Sequence, residues 1–200
     1  MLRIGLVMLQ GARHAHLYAL KEAAKDLQIE VEIFELRNKN DLLQCNPQAI
    51  VLPGGESTTM RLVGNSLNSQ LLPALFQLMR ENSNLPVLGT CAGAILLSDP
   101  QDNGEKIVDA NISRNAFGNQ SESFQSVINS PLLSREFPGI FIRAPRFLDL
   151  GGEASIVASI DDETVGVRTN NRIALTFHPE LSGDFAFHKW LINKAAEVSK

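Results

Sequence analysis

Cysteine is scarce in this 200-residue chain: two occur, Cys45 and Cys91. They could pair in principle, but a chain of this size needs no disulfide to hold it, and reduced thiols fit a cytoplasmic location. Long apolar runs are missing too. None approaches the roughly 20 residues that span a bilayer, so no membrane partner is expected. The opening "MLRIGLVMLQ" has no small-residue cleavage site, soon reaches Arg13 and His14, and reads as a first strand. Basic clusters are absent as well: Lys and Arg total 18 against 22 Asp and Glu, a net charge of -4, which argues against nucleic acid as a partner. His14, His16 and His188 have no companion Cys or His at metal-ligand spacing, so no metal or other cofactor is expected. There is no repeat, linker or low-complexity tract. A single domain over residues 1–200 is the expectation, because a chain of this length buries about 70% of its unfolded surface.

What is present is an alternation of strand-like and helix-like segments. Leu2 to Leu9 is a short apolar run, and Leu17, Leu20, Ala23, Ala24 and Leu27 then recur at helical spacing. The alternating "IEVEIFEL" predicts a half-buried strand or one near an edge, followed by "AIVLPGG", the helix start "STTMRLV", a helix from about Asn68 to Glu81, and "PVLGTC" running into "AGAILLS". Such βα alternation implies a parallel sheet covered by helices on both faces. In the second half, "KIVDANIS", "GIFIRAP", "ASIVASI", "TVGVRT" and "RIALTF" are strand-like, with turns at Asp161–Asp162 and Asn170–Asn171. Phe185, Phe187, Trp190, Leu191 and Ala195 mark a last helix with a solvated Lys/Glu face, its aromatics packing on the sheet rather than stacking on a ligand. The fold class is α/β, with added β strands in the second half.

"LGTCAGAILL" places Cys91 in G-x-C-x-G directly after a buried strand, the thiol counterpart of the G-x-S-x-G nucleophile elbow. A side chain at the tip of so sharp a turn needs small neighbours if strand and helix are to approach. It would also stand at a helix N-terminus, where free N–H groups and the helix dipole favour an anion. Those effects lower a thiol pKa from about 8.5 toward roughly 3.5–7.5. A buried structural cysteine is the alternative on this motif alone. Cys45, before Asn46–Pro47, reads as a loop thiol without a role.

Far downstream, "LTFHPEL" sets His178 and Glu180 two residues apart. If the segment stays extended, both emerge on one face, and the carboxylate can hold one ring nitrogen while the other faces a thiol. A third stretch, "VLPGGESTTM", puts Gly54 and Gly55 after a strand, with Ser57 or Thr58 as the expected helix cap. Main-chain N–H groups of Gly54 and Gly55, with that of Ala92, would form an oxyanion hole. A phosphate loop is the rival reading, but the Lys of a Walker motif is missing.

With these stretches in place, the sequence resembles the class I, triad-type glutamine amidotransferases, and among them the glutaminase subunits of pyridoxal 5'-phosphate synthases. "GTCAG" and "FHPE" carry the class; "LQGA" at 9–12, "LPGGESTTM" at 52–60, "RNAFG" at 114–118 and "FIRAP" at 141–145 carry the narrower likeness. The resemblance implies a flavodoxin-like three-layer fold that hydrolyses L-glutamine to glutamate and ammonia. The ammonia would pass to a separate barrel-shaped synthase subunit. It further implies Cys91 as nucleophile, His178 as base and acid, and Glu180 as the group orienting the histidine. Gly55, Glu56, Ser57, Arg114, Ile142 and Arg143 are the implied glutamine contacts, an arginine suiting the α-carboxylate. "LQGAR" is the candidate for docking and for completing the oxyanion hole. The chain departs from the family pattern at Asn119, where an arginine is frequent, and in the short polar stretch 98–109. Three other readings stay open: a glutaminase for another acceptor, a thiol hydrolase of another elbow family, and a silent partner-binding subunit.

Overall fold

A computed structural model describes residues 1–11, 13–114 and 123–199. Five strands make its parallel half: β1 (Leu2–Val7), β2 (Val31–Leu36), β3 (Ala49–Leu52), β4 (Val87–Thr90) and, far along the chain, β11 (Arg172–Leu175). They lie in the order β2-β1-β3-β4-β11 and are parallel at every step. That is the flavodoxin-like order, in which ligand sites gather outside the carboxyl ends of the strands. The alternating β2 takes the edge, as its half-polar pattern predicts.

Beyond β11 the sheet continues antiparallel through β10 (Glu163–Thr169), β9 (Ser155–Ile160), β6 (Ser123–Ser130) and β7 (Arg135–Ile142). Asp161 and Asn170 make the tight turns at positive φ, 48° and 53°, at two of the positions the sequence marks. A separate two-stranded sheet pairs β5 (Ala110–Ser113) with β8 (Arg146–Leu150). Here the structure corrects the sequence: "KIVDANIS" is not strand throughout. The N–H groups of Ile107 and Val108 both go to the carbonyl of Leu97, which leaves only residues 110–113 free to pair. Strands β6 and β8 are not among the predicted elements.

The helices sort by face. α2 (Lys39–Cys45), α3 (Ser57–Gly64), α4 (Leu71–Glu81) and α5 (Ala92–Ser98) pack Leu42, Met60, Leu72, Phe76 and Leu96 against Ile50, Leu52, Val87 and Ala174 of the sheet. On the opposite face, α1 (Arg13–Leu27) and α6 (Ala186–Val198) pack Leu20, Phe187 and Leu191 against Ile4, Val51, Leu88 and Ile173. Alternate strand residues feed the two cores, as period-two geometry requires. Trp190 sits half-buried against the α1/α6 core.

Three further differences have local causes. α4 begins at Leu71 rather than near Asn68, because the N–H groups of Ser69 and Gln70 bond back to the Ser66 carbonyl in a turn and Gln70 enters the helix at φ 48°. α2 is too short for its periodicity to be seen, although Asn38 and Asp41 form a reciprocal capping box at its start. Cys45 ends that helix fully buried in the core instead of lying in a loop, and burial pushes its thiol up to about 11. Among the described residues, no helix is long and apolar enough to cross a membrane.

Candidate active site

β4 and β11 lie side by side, and their last residues, Thr90 and Leu175, are partners in register. Cys91, the next residue after Thr90, donates its N–H to the Leu175 carbonyl at 2.8 Å. It then turns at φ 49°, ψ -107°, so that α5 can start at Ala92. A non-glycine residue at such angles stores strain of roughly 1–3 kcal/mol. The flanking glycines explain how the turn closes. A Cβ on Gly93 would stand 2.1 Å from the Leu52 carbonyl oxygen of β3, and one on Gly89 would stand 3.0 Å from the Gly93 backbone. Only residues without side chains let strand and helix come so near.

His178 follows β11 by three residues and is held there by its N–H to the Ile140 carbonyl at 2.8 Å. The next residues are not extended, contrary to the reading from the sequence: Pro179–Leu181 form one 3-10 turn, with Pro179 at its first position. Pro179 still excludes His178 from helical geometry, leaving it at φ -108°, ψ 85°. That single turn folds Glu180 back under the ring, where Oε1 accepts the Nδ1 proton of His178 at 2.7 Å. The sulfur of Cys91 lies 3.8 Å from the Ile142 carbonyl oxygen, and Cys91 is among the groups that raise the His178 ring. Cys91, His178 and Glu180 are all buried.

The loop after β3 completes this cluster. Gly54 touches both partners: a Cβ there would be 2.6 Å from His178 Cε1 and 3.2 Å from the Cys91 Cβ. Gly55 turns at φ 154° and is exposed, while Ser57 is buried. The cap of α3 is Glu56, not Ser57 or Thr58, because its carboxylate reaches both the Thr58 and Thr59 N–H groups, at 2.9 and 2.7 Å. Those two bonds hold Glu56 down to about 2. From the first βα loop, Gln10 Oε1 accepts the Glu56 N–H at 2.7 Å, and Gly11 packs on the Gly54 carbonyl. Ala92 opens α5, so its N–H has no carbonyl one turn back.

Arg114 reaches the same corner. Its guanidinium donates to the Thr58 hydroxyl and stands 3.5 Å from Glu56 Oε1, so the structure pairs two of the proposed glutamine contacts with each other. Ile142 ends β7, and Arg143 turns out of it at φ 48°, exposed beside the sulfur's neighbour carbonyl. Asn119 and the rest of "RNAFG" after Arg114 fall outside the described residues, as does Ala12 of "LQGA".

The electrostatics bind these groups together. Burial works against a charge on His178, but its hydrogen bonds to Cys91 and Glu180 and their negative charge outweigh burial and raise the ring to about 10. Burial likewise opposes a charge on Glu180, and the rings of His16 and His178 beside it hold its carboxyl below the ordinary range. His16 is the residue that sequence reasoning passed over. It lies on α1, fully buried, with Nε2 3.4 Å from Glu180 Oε1. Nothing in the local sequence singles it out from His14, which is exposed; only its place on the apolar stripe of α1 distinguishes it.

A strained cysteine elbow beside a His–carboxylate pair, at the carboxyl edge of a flavodoxin-like sheet, has the form of a thiol-nucleophile site, and the comparisons narrow it. A solved glutamine amidotransferase shares the architecture at a TM-score of 0.80 and 35% identity, covering 97% of this chain and 99% of that one. A putative GMP synthase subunit from Thermoplasma acidophilum aligns at a TM-score of 0.69 and 17% identity, covering 100% and 96% of the two chains, a likeness of fold alone. The sequence model of the SNO glutamine amidotransferase family matches residues 6–197, and the chain belongs to that family. Its relatives include the pyridoxal 5'-phosphate synthase subunit PdxT of Thermococcus onnurineus, 38% identical over 98% of this chain and 100% of that protein. The protein of the same name from Methanosarcina acetivorans is 34% identical over 96% and 98% of the respective chains.

Proposed function

We propose that this chain is the glutaminase subunit of a pyridoxal 5'-phosphate synthase, one catalytic domain over residues 1–200. The observation that carries the mechanism is the His178–Glu180 hydrogen bond at 2.7 Å beside Cys91, whose Cβ and the His178 ring both crowd Gly54. The sulfur, as thiolate, attacks the side-chain amide carbon of glutamine. The resulting oxyanion is received by N–H groups of Gly54, Gly55 and Ala92, a type of contact whose loss costs about 100- to 1000-fold in rate. His178, protonated at neutral pH, gives its proton to the departing nitrogen. Ammonia leaves and a glutamyl thioester remains on Cys91. Water, deprotonated by the now neutral His178, cleaves the thioester to glutamate and restores the thiolate.

Gly55, Glu56, Ser57, Arg114, Ile142 and Arg143 are the proposed contacts of the rest of glutamine. For Arg114 to grip the α-carboxylate, its guanidinium exchanges the Glu56 carboxylate for that of the substrate. Ammonia protonated in bulk water is lost as a nucleophile, so the product is useful only when delivered into a second protein. The relatives named as synthase subunits support a synthase partner in a heteromeric complex; its barrel shape is what the family resemblance implies, and the Gln10–Gly11 edge is the proposed docking place. A thiol nucleophile must stay reduced, which supports work in the cytoplasm. The test is a glutaminase assay with and without the synthase subunit, reading ammonia and pyridoxal phosphate separately. Both products are expected together. Glutamate release that never feeds pyridoxal phosphate would assign the chain to another acceptor.

A further inference from the structure

His16 and His188 come from opposite ends of the chain, 172 positions apart, and meet on α1 and α6 behind the candidate site. Both are fully buried. His16 Nδ1 lies 3.1 Å from His188 Nε2, and His16 Nε2 lies 3.4 Å from Glu180 Oε1 and 3.3 Å from the Thr90 hydroxyl. A continuous line of polar atoms therefore runs from the Cys91 sulfur through His178, Glu180 and His16 to His188. Two imidazoles in an apolar layer need a reason to be there, since burying polar groups is unfavourable unless they are paired.

We propose that the His188–His16 pair is a hydrogen-bond relay that supplies Glu180 with a second donor, making His16 a positioning residue for His178. Each neutral imidazole has one N–H and one bare nitrogen. In one assignment every hydrogen bond joins a donor to an acceptor: His188 Nε2–H donates to His16 Nδ1, and His16 Nε2–H donates to the Thr90 hydroxyl with the Glu180 carboxylate oxygen close beside it at 3.4 Å. His178 Nδ1–H donates to the same carboxylate oxygen. The opposite tautomer of His16 would turn a bare Nε2 toward the carboxylate, lone pair against negative charge. The assignment also leaves His188 Nδ1 as a bare acceptor, and that atom has no hydrogen-bond partner among the described residues. Burial keeps both rings neutral, pushing His188 down to about 3 and His16 below its ordinary value against the pull of Glu180. Among the described residues, Glu180 and His178 are the other titratable groups that act on these rings. The strand packed on this turn, β7, offers the Ile140 carbonyl, and its Arg135 and Glu136 are exposed. On α6, Lys189 pairs outward with Asp26 of α1.

The relay sets a second donor beside Oε1 of Glu180, whose Oε2 is buried without a partner among the described residues, and so favours the ionised carboxylate in its place against the ring. This rests on the reading of His178 and Glu180 as catalytic groups, and its test reads tautomers and thiol reactivity, neither of which requires turnover. In the full chain labelled with 15N-histidine, two-bond proton–nitrogen spectra at pH 7 are expected to show His16 and His188 neutral, both with the proton on Nε2. A charged ring, or a proton on Nδ1 of either, overturns the relay whatever happens in the variants. The second arm is alkylation of Cys91 by iodoacetamide as a function of pH. His16→Leu should move the midpoint of the profile upward and slow alkylation at pH 7 about 10-fold, and His16→Gln, which can donate to Glu180 and accept from His188, should restore most of the rate. With the synthase subunit present, the Leu variant should lower kcat rather than raise KM. A folded Leu variant with the parent's alkylation profile would contradict the proposal.

Discussion

Gly54 lies so close to the imidazole of His178 that a methyl group there would stand 2.6 Å from Cε1. The ring is therefore seated from three sides: by a missing side chain, by a carboxylate and by a sulfur. Gly54→Ala should push the ring off its line to Cys91 without unfolding the chain, since the clash is with a side chain and not with backbone. Displacements of about 1 Å can reduce turnover 100-fold, so a loss of that order in kcat for ammonia release is expected, measured in the presence of the synthase subunit. An unimpaired variant would mean that the ring's position is immaterial.

Glu180→Gln keeps the shape of the side chain and removes its charge. The amide can still meet His178, but it no longer favours the charged ring or enforces the Nδ1–H tautomer. Turnover is expected to fall roughly 1000-fold. The pH profile of Cys91 alkylation should move upward, because the ring's pKa of about 10 depends in part on that carboxylate.

Strain at the elbow predicts an opposition between stability and activity. Cys91 holds φ 49°, ψ -107°, where a residue with a Cβ is uncomfortable and glycine is not. Cys91→Gly should abolish glutamine hydrolysis yet unfold at higher urea than Cys91→Ala, by about 1 kcal/mol after the entropy of the added glycine is subtracted. Equal midpoints for the two variants would show that the turn is relaxed.

The buried histidines set the response to acid. His188 falls to about 3 in the folded chain from an ordinary 6.5, so the unfolded chain takes up a proton that the folded chain refuses. Stability is unaffected above pH 6.5 and declines as pH drops below it, by about 2 kcal/mol at pH 5 from this ring alone. Glu180, held below its ordinary value, adds a loss as pH falls through its folded pKa. His178 has the opposite sign: raised to about 10, its contribution is complete below 6.5 and disappears as pH climbs through 10. Urea unfolding at pH 8 and pH 5 checks the first of these, and His188→Leu should narrow the difference between the two.

Much of this was legible from the residues. Apolar runs interrupted by glycine located β3, β4 and the elbow, since buried parallel strands read as continuous hydrophobic segments. The family blocks placed Cys91, His178 and Glu180, which are in contact despite lying 87 positions apart across the first interval. Less visible were features decided by competition for hydrogen bonds. Glu56 displaced Ser57 and Thr58 as the cap because a carboxylate can accept two N–H groups at once. Pro179 opened a 3-10 turn where alternation suggested a strand. β6, with its largely polar "SFQSVINS", pairs along its length with β7 and buries Ile128 in the core, too sparse an apolar pattern to mark a strand from the sequence. His16 could not be singled out because its partners, Glu180 and His188, come from the other end of the chain.

The account depends above all on the sulfur of residue 91 forming a bond to substrate. Rapid acid quench during glutamine turnover with the synthase subunit, followed by peptide mass analysis, reads that bond directly. One glutamyl group attached at Cys91 and nowhere else is the predicted result. Steady ammonia release with no adduct on that peptide, accompanied by undiminished turnover in Cys91→Ala, would contradict it.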